Sequence, residues 1–165
     1  MNDKYNDITF VFHSTKELKE LIQSHINVSG LSNCEVISDD KFKAHLLKKS
    51  IFAVAKSGTV SLEICNAKIP SIILYKMNIV NFFIIKALVK IKYANIINIA
   101  ANDEIIPELL QSKCNPKNIF EVVSSFLENP LKSKEQVKKT QEILSQFKTD
   151  KSSSESASKA LNGQL

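Results

Sequence analysis

Residues Phe52-Ala-Val-Ala-Lys-Ser57-Gly58-Thr59-Val-Ser-Leu-Glu63 decide the fold of this chain. An apolar run ends in a small polar turn, and a helical pattern begins directly after it. A strand that enters a helix in this way points several free backbone N–H groups at one place, where the helix dipole adds partial positive charge. The stretch therefore predicts a strand–turn–helix unit whose turn can bind a phosphate or another anion.

Glu63 adds a second group that suits a nucleotide ligand. It follows Thr59 by four residues, so the two side chains project from the same side of the predicted helix. A phosphate at the helix N-terminus and a carboxylate one turn later suit the pyrophosphate and the ribose of a nucleotide. A plain structural interpretation stays open, in which Ser57 caps the helix and Glu63 is a solvated helix residue, because such turns are common in α/β folds.

Strand-like and helix-like segments alternate along the chain. Short apolar and β-branched runs predict strands at 8–12, Cys34–Ile37, 51–55, 70–75 and 94–97. Helical spacing and capping residues predict helices between Thr15 and Gly30, after Asp39-Asp40, and over 59–67, 104–111, Pro116–Leu127 and 131–146.

This alternation predicts right-handed βαβ units, and thus an α/β fold with a Rossmann-like parallel sheet and helices on both faces. Ligands in such sheets bind beyond the carboxyl ends of the strands. The turn Ser57-Gly58-Thr59 lies at such an end. So does the loop after the fifth predicted strand, which carries Asn98 and Asn102-Asp103-Glu104.

The composition fits about one globular domain, because 44% of the 165 residues are hydrophobic. The formal net charge is +5, and all 22 basic residues are lysines. Arginine is the usual residue for bidentate contacts with phosphates and bases, so its absence argues against nucleic acid as a partner. A weak attraction to anionic membrane surfaces stays open.

The cysteines favour a structural role. Cys34, Cys65 and Cys114 are far apart and match no zinc-ligand spacing, and the histidines join no ligand pattern with them. We interpret them as small buried hydrophobic residues in a reducing compartment, and we expect no bound metal. No charged n-region with an apolar h-region opens the chain, so we expect no secretory signal.

Residues 79–89 form the most apolar helix-like stretch. It is too short to span a membrane, and Asn81 and Lys86 interrupt it. The stretch fits either a core helix or an interfacial helix that contacts lipid. In the interfacial interpretation, the lipid contacts are Ile79, Phe82, Phe83, Ile85, Lys86 and Lys90. We expect one domain over residues 1–148 and a polar tail or short terminal helix over 149–165.

Four linked blocks carry a family likeness: Ala55-Lys-Ser57-Gly58-Thr59-Val-Ser-Leu-Glu63, Ala67-Lys-Ile-Pro70-Ser-Ile-Ile-Leu-Tyr75-Lys76, Lys86-Ala-Leu-Val-Lys90-Ile-Lys-Tyr93, and Glu104-Ile-Ile-Pro107-Glu108-Leu-Leu-Gln111 with Asn98 before it. Their order and spacing are specific. Residues 8–147 thereby resemble the C-terminal half of lipid-A-disaccharide synthase, a glycosyltransferase with two Rossmann domains (GT-B type). The resemblance implies the C-terminal, UDP-sugar-binding domain of that fold.

The resemblance also implies a reaction in lipid A biosynthesis. The family moves 2,3-diacylglucosamine from UDP onto 2,3-diacylglucosamine 1-phosphate and so forms the lipid A disaccharide. We therefore expect UDP-2,3-diacylglucosamine as the substrate, no cofactor or metal, and a peripheral location on the cytoplasmic face of the bacterial inner membrane. The helix N-terminus would take the charge of the leaving group in place of a metal.

The resemblance assigns UDP-binding roles residue by residue. Ser57, Gly58 and Thr59 would face the pyrophosphate, and Glu63 would accept hydrogen bonds from the ribose hydroxyls. Asn98 and Glu104 would line the donor side of the cleft. No catalytic residue is expected in this half, because the general base belongs to the family's N-terminal domain.

Two departures from the family pattern leave alternatives open. The chain has no counterpart of the family's N-terminal domain, so we expect a fragment that works with a separate N-terminal half. Asn102-Asp103 stand where the family usually has Gly-Arg, and an acidic residue near a pyrophosphate is unfavourable. The chain could then be an inactive remnant or an interaction module. A UDP-N-acetylglucosamine epimerase or transferase of the same architecture is a third interpretation.

Overall fold

The computed structural model describes residues 4–78 and 92–147. The chain divides into two compact units, Met1–Ile51 and Phe52–Leu165. The first unit contains β1 (Phe10–His13), α1 (Lys16–Val28), β2 (Cys34–Ile37) and α2 (Asp40–Lys49). The second contains β3 (Ala53–Lys56), α3 (Thr59–Asn66), β4 (Ser71–Tyr75), α4 (Ile96–Ala101), β5 (Glu108–Leu110), a 3₁₀ turn (Gln111–Lys113), α5 (Pro116–Leu127) and α6 (Pro130–Phe147).

The first unit is a βαβ unit followed by a helix. β1 and β2 pair in parallel from Phe10 opposite Cys34 onward, with α1 as the crossover between them. Gly30 follows α1 with a left-handed φ of +65°, as a glycine after a helix C-terminus often does. The side chain of Asp39 accepts the backbone N–H of Lys41 at 2.9 Å and so caps α2.

The second unit is a three-stranded parallel sheet in the order β3-β4-β5. Because side chains alternate along a strand, Ile72 and Ile73 of β4 enter two different cores, and both are fully buried. Ile73 packs with residues of α3, α4 and the 105–106 segment, and α6 closes that core. Ile72 packs on the other face with Val123 and Phe126 of α5.

These contacts confirm the predicted α/β class with parallel strands and helices on both sheet faces. The described strands form a two-stranded and a three-stranded sheet, however, where the sequence predicted one. Within residues 4–78 and 92–147, no helix is both long and apolar enough to cross a membrane.

Two predicted elements were wrong. The segment predicted as a strand at 94–97 starts α4, because the side chain of Asn95 accepts the N–H of Ile97 and caps a helix. The segment predicted as a helix at 104–111 holds β5, because Pro107 interrupts any helix there and Ile73 donates its N–H to the Pro107 carbonyl. Asn98, which was expected in a loop after a strand, therefore lies within α4, and Asn102-Asp103-Glu104 follow that helix.

The predicted interfacial stretch lies outside the described residues, with its candidate lipid contacts Ile79, Phe82, Phe83, Ile85, Lys86 and Lys90. The predicted tail at 149–165 does as well.

Candidate anion-binding turn

The turn between β3 and α3 depends on one glycine. Gly58 is the N-cap of α3 and has φ +152° and ψ −168°, a combination that L-residues rarely adopt. A Cβ placed there would meet nothing within 4 Å. The glycine is therefore required by the backbone and not by crowding, and the space beside the turn is open to an approaching ligand.

Two hydrogen bonds to the Gly58 carbonyl stabilise the first turn of α3. The Gly58 carbonyl accepts the backbone N–H of Ser61 at 3.1 Å and the Ser61 hydroxyl at 2.6 Å. Ser61 is buried, so these two bonds set the direction of the turn from the inside of the unit. The first N–H groups of a helix have no carbonyl partner within it, so the N–H groups of Thr59 and Val60, which precede Ser61, are the candidate donors for an anion.

Ser57 does not cap the helix. Its hydroxyl donates to the carbonyl oxygen of Ala94 at 2.7 Å, and α3 has no side-chain cap. The structural interpretation of Ser57 as an N-cap is therefore wrong. This hydrogen bond connects the turn to the segment before α4 and occupies the Ser57 hydroxyl. Ser57 would therefore contribute to anion binding through its backbone.

Glu108 holds the segment to which Ser57 is tied. Its side chain is 7% exposed, and its carboxylate accepts the N–H of Ala94 at 2.7 Å and of Asn95 at 2.9 Å. The amide of Asn98 donates to the same carboxylate at 2.8 Å. A negative charge at the N-terminus of α4 also interacts favourably with the helix dipole. A chain of hydrogen bonds thus runs from Glu108 through Ala94 to Ser57.

Asn98 belongs to this buried network. Its amide group donates to the Ile106 carbonyl at 2.7 Å and to Glu108, and its oxygen accepts the N–H of Ile106 at 2.9 Å. The residue is fully buried. A contact between Asn98 and a nucleotide would require Asn98 to leave this network, and it stays a prediction.

Glu104 is exposed and lies at the start of the loop to β5. Its carboxylate accepts the N–H of Glu108 at 3.2 Å, and its own N–H donates to Asp103 at 2.8 Å. A hydrogen bond with Tyr93 raises the pKa of Lys92, and the charges of Asp103 and Glu104 add to that rise. Asp103, which departs from the family pattern, and its neighbour Glu104 thus have a lysine near them.

Thr59 and Glu63 are both exposed on α3, one helical turn apart. The structure therefore places the predicted pyrophosphate turn and the predicted ribose carboxylate on one accessible helix. It connects Asn98 of α4 and Glu104 to the turn through Glu108, a residue that was not predicted from the sequence. A buried acid within the apolar run Ile105-Ile106-Pro107-Glu108-Leu109-Leu110 was the available signal, because such a charge needs partners.

The described ranges contain no group of three or more His, Cys, Asp or Glu residues that could hold a metal ion. Cys34, Cys65 and Cys114 are free thiols. Burial raises the pKa of Cys65 to about 11. The thiol of Cys65 therefore stays protonated at neutral pH, and its side chain packs in the core with Ile73.

The fold and the turn define a class: a parallel α/β protein in which a glycine-containing turn joins a strand to a helix. A family model described as lipid-A-disaccharide synthetase matches residues 1–161. The chain belongs to this family.

Curated relatives agree with the family model. The chain is 36% identical to lipid-A-disaccharide synthase of Rickettsia prowazekii over 159 residues, which is 95% of this chain and 41% of the relative. It is 40% identical to the enzyme of that name from Rickettsia canadensis over 148 residues, 84% of this chain and 38% of the relative. For Rickettsia typhi the identity is 41% over 127 residues, 76% of this chain and 33% of the relative. The chain thus spans at most about two fifths of these relatives.

Proposed function

We propose that this chain acts in lipid A biosynthesis as the UDP-sugar-binding part of a lipid-A-disaccharide synthase. The reaction transfers 2,3-diacylglucosamine from UDP to 2,3-diacylglucosamine 1-phosphate. The observation that carries the proposal is the open turn at Gly58, at the N-terminus of α3 in a member of this family.

The turn would bind the diphosphate through backbone N–H groups at Gly58, Thr59 and Val60. The helix dipole adds positive potential there, so charge that develops on departing UDP is stabilised without a metal. Glu63 would accept hydrogen bonds from the ribose hydroxyls. Its exposure on the same helix as Thr59 supports this role.

The acceptor site and the general base would come from polypeptide beyond the matched part of the relatives. The isolated chain would then bind UDP weakly and transfer no sugar, because half of the cleft is absent. We also propose a peripheral location on the cytoplasmic face of the inner membrane, where acylated substrates lie. The apolar stretch 79–89, which includes Lys86, and the adjacent Lys90 are the candidate lipid contact.

Titration of the ¹⁵N-labelled chain with UDP tests the proposal. We expect shifts of the Gly58, Thr59 and Val60 amides at millimolar UDP, and smaller shifts with UMP, which lacks the second phosphate. Glu63→Ala should weaken UDP binding by about 1–3 kcal/mol through lost hydrogen bonds to ribose. Glu121→Ala, at an exposed glutamate of α5, is the matched control. Unchanged amides at millimolar UDP would contradict the proposal.

An inactive remnant or interaction module is the second candidate function. Asp103 favours it, because an acidic side chain near a diphosphate opposes binding. Complementation distinguishes the two: a strain lacking the synthase receives this chain together with the unmatched part of the Rickettsia prowazekii enzyme. Restored lipid A synthesis supports the enzyme, whereas failure with both parts stably expressed supports the remnant.

A further inference from the structure

Two side chains that can donate hydrogen bonds reach the carboxyl end of β4 in the second unit. One is Lys56, the last residue of β3, whose ammonium lies 5.5 Å from the centre of the Tyr75 ring. The other is Gln111, which directly follows β5 and whose side-chain oxygen accepts the backbone N–H of Met77 at 3.1 Å. Tyr75 ends β4, and Met77 follows it by two residues. The neighbouring strands thus bring both side chains to one strand end.

The Lys56 side chain extends past the end of the sheet. Lys56 pairs with Leu74, which packs in the core on the α5 face. Tyr75 follows Leu74 and projects to the opposite face, because side chains alternate along a strand. The contact between Lys56 and Tyr75 therefore places the ammonium beyond the strand ends. Ligands of parallel α/β sheets bind in that position.

The charge of Lys56 is not neutralised within the described part of the chain. The residue is exposed, and no described carboxylate forms an ion pair with it. Lys139 on α6, by contrast, pairs with Glu135 at 2.9 Å. An aromatic ring attracts an ammonium group but does not cancel its charge. Because the chain contains no arginine, a cationic contact with a ligand must come from a lysine such as this one.

Gln111 supplies a second donor that lacks an acceptor. Because Met77 contributes an N–H, the oxygen of the Gln111 amide faces it and the NH₂ group faces away. The Nε2 atom is buried, and it has no hydrogen-bond partner among the described residues. A buried donor without an acceptor costs free energy, so in native proteins such a group is usually satisfied by a ligand or an ordered water.

The carboxyl end of β4 lies next to the Gly58 turn. The turn directly follows Lys56, and β4 runs beside β3 at about 4.8 Å, the usual separation of paired strands. A ligand with several negatively charged oxygens can therefore contact the turn and the end of β4 together. A diphosphate has this chemistry, and hydrogen bonds from an ammonium or an amide to its charged oxygens are strong.

We propose that the carboxyl end of β4 forms part of the diphosphate site, where the Lys56 ammonium and the Gln111 amide donate to phosphoryl oxygens. The inference rests on the proposed function and deepens it, because it adds a cation and an oriented amide to the backbone N–H groups of the turn. The ammonium offsets part of the negative charge of the ligand, and the amide gains the acceptor that it lacks.

Titration of the full ¹⁵N-labelled chain with UDP tests the role of Lys56. We expect UDP to shift the Met77 amide together with the amides of Gly58 and Thr59. Lys56→Gln should weaken UDP binding about tenfold, because one charge-assisted contact is lost. Lys138→Gln, at an exposed lysine of α6, removes the same charge elsewhere and is the matched control. Its UDP affinity should stay within about twofold of that of the unmodified chain, because solvent and salt screen a distant charge.

Gln111→Glu tests the second donor. The variant keeps an oxygen for the Met77 N–H but replaces the NH₂ group with a negatively charged oxygen, so UDP binding should weaken about tenfold or more. Gln146→Glu, at the exposed end of α6, adds the same charge and is the matched control. In the unmodified chain, UDP should also shift the side-chain NH₂ resonances of Gln111. This measurement tests the donor even if the variant does not fold.

The outcomes distinguish this inference from the proposed function. If UDP shifts the turn amides but Lys56→Gln or Gln111→Glu binds UDP as tightly as its control, the inference is wrong and the proposed function stands. If UDP shifts no amide of the unmodified chain, both are wrong. UDP binding by Lys56→Gln should also depend less on salt than binding by the unmodified chain, since one screened charge is gone. An equal salt dependence would show that the ligand does not use this charge, and it would overturn the inference.

Discussion

The side chain of Gln136 on α6 forms two hydrogen bonds with the backbone of Ser71, the first residue of β4. Its oxygen accepts the Ser71 N–H at 2.7 Å, and its nitrogen donates to the Ser71 carbonyl at 3.0 Å. The same nitrogen lies 3.2 Å from the Ile105 carbonyl. β5 pairs with β4 only from Ile73 onward, so Gln136 completes the edge of β4 where the neighbouring strand is absent.

Replacing Gln136 should destabilise the protein strongly. Gln136 and Ser71 are 5% and 1% exposed, so Gln136→Ala leaves a buried N–H and a buried carbonyl without partners. We expect the free energy of unfolding to fall by about 2–4 kcal/mol. Urea denaturation followed by circular dichroism measures it. Gln146→Ala on the exposed end of the same helix is the control and should change stability by less than about 0.5 kcal/mol.

Local signals explain which elements the sequence could predict. The helix Pro116–Leu127 was predicted with its bounds, because Asn115 caps it and Pro116 stands at its first turn. The strand Cys34–Ile37 was also confirmed with its bounds. Around Asn95 and Pro107, strand and helix were exchanged, since short apolar runs fit both states, and the Asn95 cap and Pro107 decided between them.

The candidate site also has a part that the sequence predicted and a part that it did not. The Ser57-Gly58-Thr59 turn is a contiguous signal, and it lies where the sequence placed it. The bonds that position it join Ser57 to Ala94 across 37 residues and Ala94 to Glu108 across 14. No spacing rule connects residues at these separations, because the fold alone brings them together. The role of Glu108 therefore required the structure.

Glu108 should position the turn as well as stabilise the loop. Glu108→Gln keeps the shape but turns an NH₂ group toward a backbone N–H, so either Ala94 or Asn95 loses its acceptor. We expect a loss of about 1–3 kcal/mol in unfolding free energy and altered ¹⁵N shifts at Ser57 and Gly58 without ligand. Glu121→Gln, at an exposed site, is the control. Unchanged stability and shifts would show that this carboxylate is dispensable.

Alanine variants of two glycines distinguish the effect of backbone strain from the loss of ligand binding. Gly58→Ala forces an L-residue into φ +152°, which should cost about 1–3 kcal/mol or shift the turn. Gly30→Ala, at φ +65°, should cost about 1–2 kcal/mol for a similar reason. Neither new Cβ meets an atom within 4 Å. We expect only Gly58→Ala to reduce the UDP-induced amide shifts, and equal loss in both variants would argue against binding at the turn.

The buried Cys65 thiol should make the free energy of unfolding depend on pH in the alkaline range. Its pKa is raised by burial from 9.0 to about 11, so the folded state holds the thiol proton more tightly than the unfolded state does. This contribution to stability is fully present below pH 9.0 and is lost as the pH rises through about 11. We expect the free energy of unfolding to fall by about 2–3 kcal/mol more over this window than in Cys65→Ala. Urea denaturation at several pH values measures the difference, and parallel curves for the two proteins would show that the thiol is not desolvated.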